Sequence, residues 1–420
     1  MLHSIKPEKL GPFGSAMTEA VTACVHCGFC LAACPTYSEL GQEMDTPRGR
    51  IVLMKRVLEE QLPWQAAQPH LDRCLGCLAC EPACPSGVRY RDLVTPFRAL
   101  ARSKVTTSPA ETFRRALVRN VLPFPRRFRA AAALAWFPRR FRRWLPASIR
   151  PMLDLLPPVV PGREQWPALI AAQGQRRARV ALLTGCVQQV LEPDINTATI
   201  DVLSRNGIEV VIPEGQGCCG GLSWHTGDLE IARELARNTI SKFPKDLDAV
   251  LTNAAGCGST MQEYELVLKG TADEPHARAF AHRVMDVSLF LARLGLRAPA
   301  GPPQPLKLAY HDACHLANAQ GVSAEPRQLL RAIPGIELVE ISSPHLCCGS
   351  AGTYNLDQPE IAASLGRKKA EAIFATGAQA VASGNIGCLI QLRLHLARVC
   401  PTLPVRHTMQ ILRDAYGANA

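Results

Sequence analysis

Eight of the seventeen cysteines stand at spacings that suit iron. The run C-x2-C-x2-C-x3-C-P occurs at Cys24, Cys27, Cys30 and Cys34, with Pro35 next. It recurs at Cys74, Cys77, Cys80 and Cys84, with Pro85 next, each cysteine 50 residues after its counterpart. Iron in a cubane cluster takes four soft thiolates in tetrahedral array. Three closely spaced cysteines can wrap one face of the cube, and a distant one closes it. In two-cluster ferredoxins the fourth cysteine of each run serves the other cluster. The spacing therefore predicts one [4Fe–4S] cluster on Cys24, Cys27, Cys30 and Cys84, and a second on Cys74, Cys77, Cys80 and Cys34. Gly28 and Gly76 let the backbone turn between ligands, and Pro35 and Pro85 stop the chain from continuing as a helix. A structural zinc site would use two CxxC pairs, with no call for a third cysteine and a following Cys-Pro. His26, inside the first run, reads as a solvated surface residue.

Eight further cysteines form a matched pair of sets. Cys186, Cys218, Cys219 and Cys257 are separated by 32, 1 and 38 positions; Cys314, Cys347, Cys348 and Cys388 by 33, 1 and 40. In each set the adjacent pair is followed by glycine. Free cysteines can pack as small hydrophobes, but matched gaps make that an incomplete account. Each set offers four thiols, enough for a further iron–sulfur centre, a redox-active Cys-Cys pair or a partner-binding surface. Cys400 stands outside the pattern and reads as a core cysteine.

The elements that must position these groups follow from periodicity. Residues 47–60 (PRGRIVLMKRVLEE) space their apolar side chains as an amphipathic helix with Pro47 in its first turn. Tight cysteine turns joined by helices imply an α-helical ferredoxin-type domain over 1–110. An Arg-, Pro- and aromatic-rich connector follows over 111–175. The rest is an internal repeat. Strand-like runs at 180–183, 208–213 and 249–252 alternate with helix-like stretches, and a second copy has strands at 306–310, 336–341 and 380–382. Helix-like 228–242 corresponds to 359–375, and Asp286–Leu294 to His407–Leu412. Short buried strands alternating with helices read as α/β units with small parallel sheets, one over 176–300 and one over 301–420. The expected fold class is α + α/β.

The 420 residues argue for several domains. A disulfide scaffold this rich in cysteine would be short and secreted; Met1–Met17 has no apolar run and carries Pro7 and Pro12, so no targeting segment and a reducing compartment are expected. No apolar run reaches the roughly 18 residues of a membrane span. The net charge of +11 is local: residues 112–153 hold eleven arginines, no lysine and no acid, and the remainder balances at 36 basic and 36 acidic residues. A balanced remainder leaves no long basic channel for nucleic acid. Within that stretch Arg126, Arg127 and Arg129, then an apolar run over 130–137, then Arg139, Arg140, Arg142 and Arg143 stand among Trp136, Phe141 and Trp144. That composition suits an anionic membrane interface or an acidic partner subunit.

The segments CVHCGFCLAACPTY, DTPRGRIVLMKRVLE, HLDRCLGCLACEPACPSGVRY, HLCCGSAGTYNL and NIGC together resemble the iron–sulfur subunits of bacterial glycolate oxidase, better called glycolate dehydrogenase, over nearly the whole chain. The resemblance implies an electron-transfer subunit of a multi-subunit oxidoreductase at the cytoplasmic face of the inner membrane. Flavin-binding subunits would oxidise glycolate to glyoxylate, and this chain would relay electrons towards a membrane quinone. The absence of G-x-G-x-x-G after a strand fits this division of labour. Related lactate and glycerol-3-phosphate dehydrogenase subunits and heterodisulfide reductase share the duplicated unit. The heterodisulfide reductase type of unit uses a fifth cysteine, where this sequence has Thr260 and Gln391.

Overall fold

Proline and glycine punctuate the first hundred residues into short helices. The computed structural model describes residues 1–105, 109–135, 137, 141, 144, 150–299, 301, 305–343 and 346–417. Helices run over Gly14–Ala23, Phe29–Ala32, Pro35–Leu40, Pro47–Leu58, Trp64–Asp72 and Arg91–Ala101. Pro35 and Pro47 each stand in the first turn of a helix, where the missing N–H costs nothing. Thr46 caps the Pro47 helix, accepting from Gly49 N at 2.9 Å. That helix buries Ile51, Leu53, Met54, Val57 and Leu58 against Phe13, Met17, Leu93 and Phe97. Among the described residues, helices Pro109–Val121, Pro125–Leu134 and Arg150–Asp154 lie in the connector. Arg139, Arg140, Arg142, Arg143, Trp136, Pro138 and Pro146 lie outside the described residues.

Among the described residues nine strands follow: β1 (Leu169–Ile170), β2 (Ala178–Leu183), β3 (Ile208–Val211), β4 (Ala249–Thr252), β5 (Val284–Asp286), β6 (Leu306–Tyr310), β7 (Ile336–Glu340), β8 (Ala380–Ser383) and β9 (Val405–His407). The first sheet has the order β1-β3-β2-β4-β5 and the second β7-β6-β8-β9. All pairs are parallel except β1–β3, where Leu169 faces Val211. Thus the end of the stretch read as connector adds an edge strand to the first sheet. β3 stops before Pro213, which has no N–H for a ladder. β5 and β9 extend each sheet beyond the three strands expected.

The two sheets share one core. Val180, Leu182, Val210 and Leu251 pack in the same cluster as Leu308, Tyr310, Ala380 and Ala382. The terminal helices cross over reciprocally. Val287–Leu294, after β5, packs on Ala324–Arg331 of the second unit, and Thr408–Ala415, after β9, packs on Asp194–Arg205 of the first. Truncating fully buried Leu412 to alanine would cost about 2–5 kcal/mol.

Candidate metal centres

The two cysteine runs close around adjoining cavities. Cys24, Cys27, Cys30 and, from the second run, Cys84 line one of about 400 Å³. Cys74, Cys77, Cys80 and, from the first run, Cys34 line another of about 310 Å³. Cys80, Pro47 and Tyr90 border both, so the first turn of the Pro47 helix stands between them. Each run takes left-handed backbone at two points. These are His26 (φ 59°) and Gly28 (φ 87°) in the first, Gly76 (φ 64°) and Leu78 (φ 58°) in the second. A non-glycine residue there is strained by roughly 1–2 kcal/mol, and the turns it permits bring successive thiols to one side. His26 is exposed, and its carbonyl accepts from Arg48 Nη1 at 3.1 Å. Its contribution is backbone shape.

The arginines at 48 and 50 each face one cavity. Arg48 lies near the surface, paired to Glu43 at 2.7 Å. Arg50 is 1% exposed. Its Nη1 stands 3.8 Å from Cys34 Sγ, its Nη2 donates to Thr36 Oγ1 at 3.0 Å, and its Nε donates to His70 O at 2.7 Å. Buried Asp45 lies 3.5 Å from Arg50 and 3.0 Å from Arg73. Burial alone would lower the pKa of Arg50, but Cys74, Tyr90, Cys34 and Asp45 raise it, so the cation is retained. Burial likewise pushes the Cys74 thiol up, yet Arg50 and Arg98 hold it below its ordinary value. Gly76 N points at Cys74 Sγ at 3.4 Å, and Ser86 Oγ lies 3.4 Å from Cys84 Sγ. Burial raises Cys30 to about 11 and Cys77 and Cys80 well above the thiol range. Binding of a cationic iron group would release those protons. Five cysteines line the first cavity and four the second, eight in all because Cys80 is shared; with N–H donors and a cation turned towards sulfur they suit two [4Fe–4S] groups. Sequence reasoning missed the paired arginines; the only signal was the RGR triplet, and nothing in it marks Arg50 as buried.

The second cavity is fixed by the rest of the chain. Arg98 Nη2 donates to Cys74 O at 2.7 Å, Asn318 Nδ2 to Cys77 O at 3.0 Å, and His315 Nε2 to Gly76 O at 3.1 Å. Tyr354 donates to Arg73 O at 2.9 Å. Cys77 packs in one cluster with Cys314 and Cys347. The first cavity is open by comparison, with Cys27 exposed and Val25 and Phe29 64% and 68% exposed beside it.

Both remaining cysteine sets lie at the carboxyl ends of parallel strands. Cys186 follows β2 and Cys257 follows β4; Cys314 follows β6 and Cys388 follows β8. In each sheet the chain runs from the middle strand to one side and then to the other, leaving its switch point between β2 and β4 or between β6 and β8. Such a crevice is where open α/β sheets bind ligands. In the first set Cys186 Sγ and Cys218 Sγ are 3.3 Å apart. Cys219 is held well below the usual thiol range by hydrogen bonds from Cys218 and Cys257, with Gly221 N donating at 3.4 Å. No disulfide joins any of the seventeen cysteines. Cys400, expected in the core, is only half-buried, beyond the end of helix Ile386–Leu396 and 3.8 Å from Thr402 Oγ1.

Comparison with known proteins agrees with this layout. A 4Fe–4S dicluster domain matches residues 20–88, and a cysteine-rich domain matches twice, at 180–262 and 308–393. The chain is 38% identical over 403 residues to the glycolate oxidase iron–sulfur subunit of Escherichia coli (strain K12), covering 94% of this chain and 93% of that one. It is 37% identical over 418 residues to a probable glycolate oxidase iron–sulfur subunit of Bacillus subtilis (strain 168), covering 94% of each. Lactate utilization protein A of Oceanobacillus iheyensis is 29% identical over 235 residues, 56% of this chain and 96% of that protein. The near-full-length matches, with eight cysteines around two adjoining cavities in the dicluster domain and two cysteine-rich units behind it, make the chain a member of the family of glycolate oxidase iron–sulfur subunits, oxidoreductase components that carry [4Fe–4S] clusters.

Proposed function

We propose that this chain relays electrons from flavin-bearing subunits, which oxidise glycolate to glyoxylate, towards a membrane quinone. The [4Fe–4S] groups supply one-electron carriage; the chain holds and spaces them. Cys24, Cys27, Cys30 and Cys84 hold the first and Cys74, Cys77, Cys80 and Cys34 the second. The observation that carries the reading is the wall composition of the two cavities, where each run of cysteines is completed by the last member of the other. The exposed thiol rim at Cys27, with Val25 and Phe29 around it, is the face offered to a redox partner. The second cavity, gripped by His315 and Asn318 and packed near Cys314 and Cys347, leads inward. We place the functional boundaries at 1–110, 111–175, 176–300 and 301–420. The eight cysteines of the two repeated units form a further redox or metal site.

The test is to purify the native complex and screen glycolate, lactate and glycerol 3-phosphate with a dye acceptor. Glycolate should be turned over by the complex and not by this chain alone. Turnover by the purified chain, free of flavin subunits, would overturn the division of labour. Preferential turnover of lactate would favour a second reading, which the similarity to lactate utilization protein A supports.

A further inference from the structure

The two repeated units are not chemically equivalent. Counted back from Cys314, the third residue is His311; counted back from Cys186, it is Leu183. Counted back from Cys388 the third is Asn385, and from Cys257 it is Ala254. The differences converge on one place. His311, Cys348 and Cys388 are all buried, and their candidate ligand atoms lie within 4.8 Å of one another. His311 Nδ1 is buried with no hydrogen-bond partner among the described residues. Asn385 Nδ2 donates to Cys388 Sγ at 3.4 Å. His311 directly follows β6 and Cys388 lies just after β8, so the group occupies the switch point of the second sheet.

We infer that His311, Cys348 and Cys388 form a mononuclear site for a thiophilic divalent cation of the zinc type. Two thiolates and an imidazole are a zinc donor set, leaving one coordination position open. A buried imidazole nitrogen without a partner costs free energy unless something occupies it, and a cation would use that lone pair. Binding releases two thiol protons to solvent. Asn385 fixes Cys388 from outside the ligand set, as outer partners of metal ligands do. The adjacent cysteine, Cys347, is hydrogen-bonded to Cys348 and to Cys314 and also packs with Leu75 and Tyr354 beside the second iron–sulfur cavity, whereas Cys348 and Cys388 share the internal cluster of the unit. Cys347 thus stands between the proposed cation site and the second iron–sulfur cavity. The inference deepens the reading of these thiols as a further centre and does not depend on the substrate of the complex.

The test is metal analysis of the full chain purified without oxygen. Zinc at about one per chain is expected beside about eight irons. The cation is then exchanged for Co²⁺, whose spectrum should show sulfur-to-cobalt charge transfer and four-coordinate d–d bands. His311→Gln should weaken Zn²⁺ and Co²⁺ at least about tenfold in a chelator competition while leaving iron content unchanged. Cys186→Ser in the first unit should leave the zinc in place. The wild-type Co²⁺ spectrum decides independently of how His311→Gln folds: bands without thiolate charge transfer, or six-coordinate bands, overturn the site. So does zinc-free protein, unaltered zinc affinity in His311→Gln, or iron rising to about twelve per chain with His311→Gln indifferent. None of these outcomes bears on the eight irons, so failure here leaves the relay reading standing.

Discussion

At the scale of single residues, the placement of charge separates the two iron–sulfur cavities. Arg48 meets water and pairs with Glu43; Arg50 is buried and turned towards Cys34. Coulomb energy scales inversely with the local dielectric, so the buried cation acts more strongly on the second cavity. Two cations, Arg50 and Arg73, face one buried carboxylate there, Asp45. The second centre should therefore have the more positive reduction potential, which favours electrons moving inward from the exposed one. Arg50→Gln should lower that potential by on the order of 100 mV, at an effective dielectric of about 20. Arg50→Lys should restore most of it, and potentiometric EPR reads both. If Gln and Lys shift it equally, packing and not charge is the cause. The crossed distribution of thiols gives a second test. Cys34→Ser should damage the centre on Cys74, Cys77 and Cys80; a spectroscopic loss confined to the Cys24 centre would refute the assignment.

At the scale of elements, His407 shows how a side chain can make a helix end sensitive to pH. It caps helix Thr408–Ala415: its Nδ1 accepts from Met409 N at 3.1 Å, and its Nε2 donates to Asn253 O at 2.9 Å. Acceptance at Nδ1 requires the neutral ring, whereas the Nε2–H bond is kept on protonation. Burial lowers its pKa to about 4, although Asn253 O and Glu192 pull the other way. The unfolded chain takes up the proton near pH 6.5 and the folded one only near 4. This contribution is therefore complete above about 6.5, is lost as pH falls towards 4, and amounts to on the order of 3 kcal/mol. Guanidinium unfolding between pH 7.5 and 5.5 should show stability falling with pH, and His407→Asn, which keeps a cap, should flatten part of the slope. An unchanged slope refutes the role. The sequence made some elements plain and hid others. The strands at 249–252 and 306–310 are apolar runs bounded by turns, and the structure has them at those residues. β5 and β9 are three residues long and run straight into helices, so periodicity merges them with DVSLFLARL and HTMQIL. The eight N-terminal cysteines are legible because their spacing repeats. His311 is not, because one histidine makes no pattern until the fold brings it to Cys348 and Cys388. Leu78 reads as core, and its left-handed backbone has no signal in residue type.

At the scale of the whole molecule, the connector decides what the surface can touch. Part of it is committed to the fold. Phe128 and Ala132 of helix Pro125–Leu134 are buried with Val190 and Leu191, and Arg129 donates to Gln189 O at 2.9 Å. Four other apolar residues of the connector face outward: Leu134 and Trp144 are each 76% exposed, and Phe137 and Phe141 are 64% and 49% exposed. No helix among the described residues is long and apolar enough to cross a membrane. Exposed aromatics among arginines suit the headgroup region instead, where arginine stems lie on apolar surface and their heads reach phosphate. Each basic residue near an anionic leaflet contributes about 1 kcal/mol. Four of them, Arg139, Arg140, Arg142 and Arg143, would by that figure supply about 4 kcal/mol, roughly a thousandfold in partitioning. The chain should float with liposomes containing anionic lipid, less so with neutral ones, and less again at high salt. Changing those four arginines to glutamine should abolish the anionic-lipid advantage while leaving the assembled complex intact. If wild type and variant float equally, or neither floats, and the variant fails to assemble with its partner subunits, the arginines form a docking surface for an acidic subunit and the route to the membrane lies elsewhere in the complex.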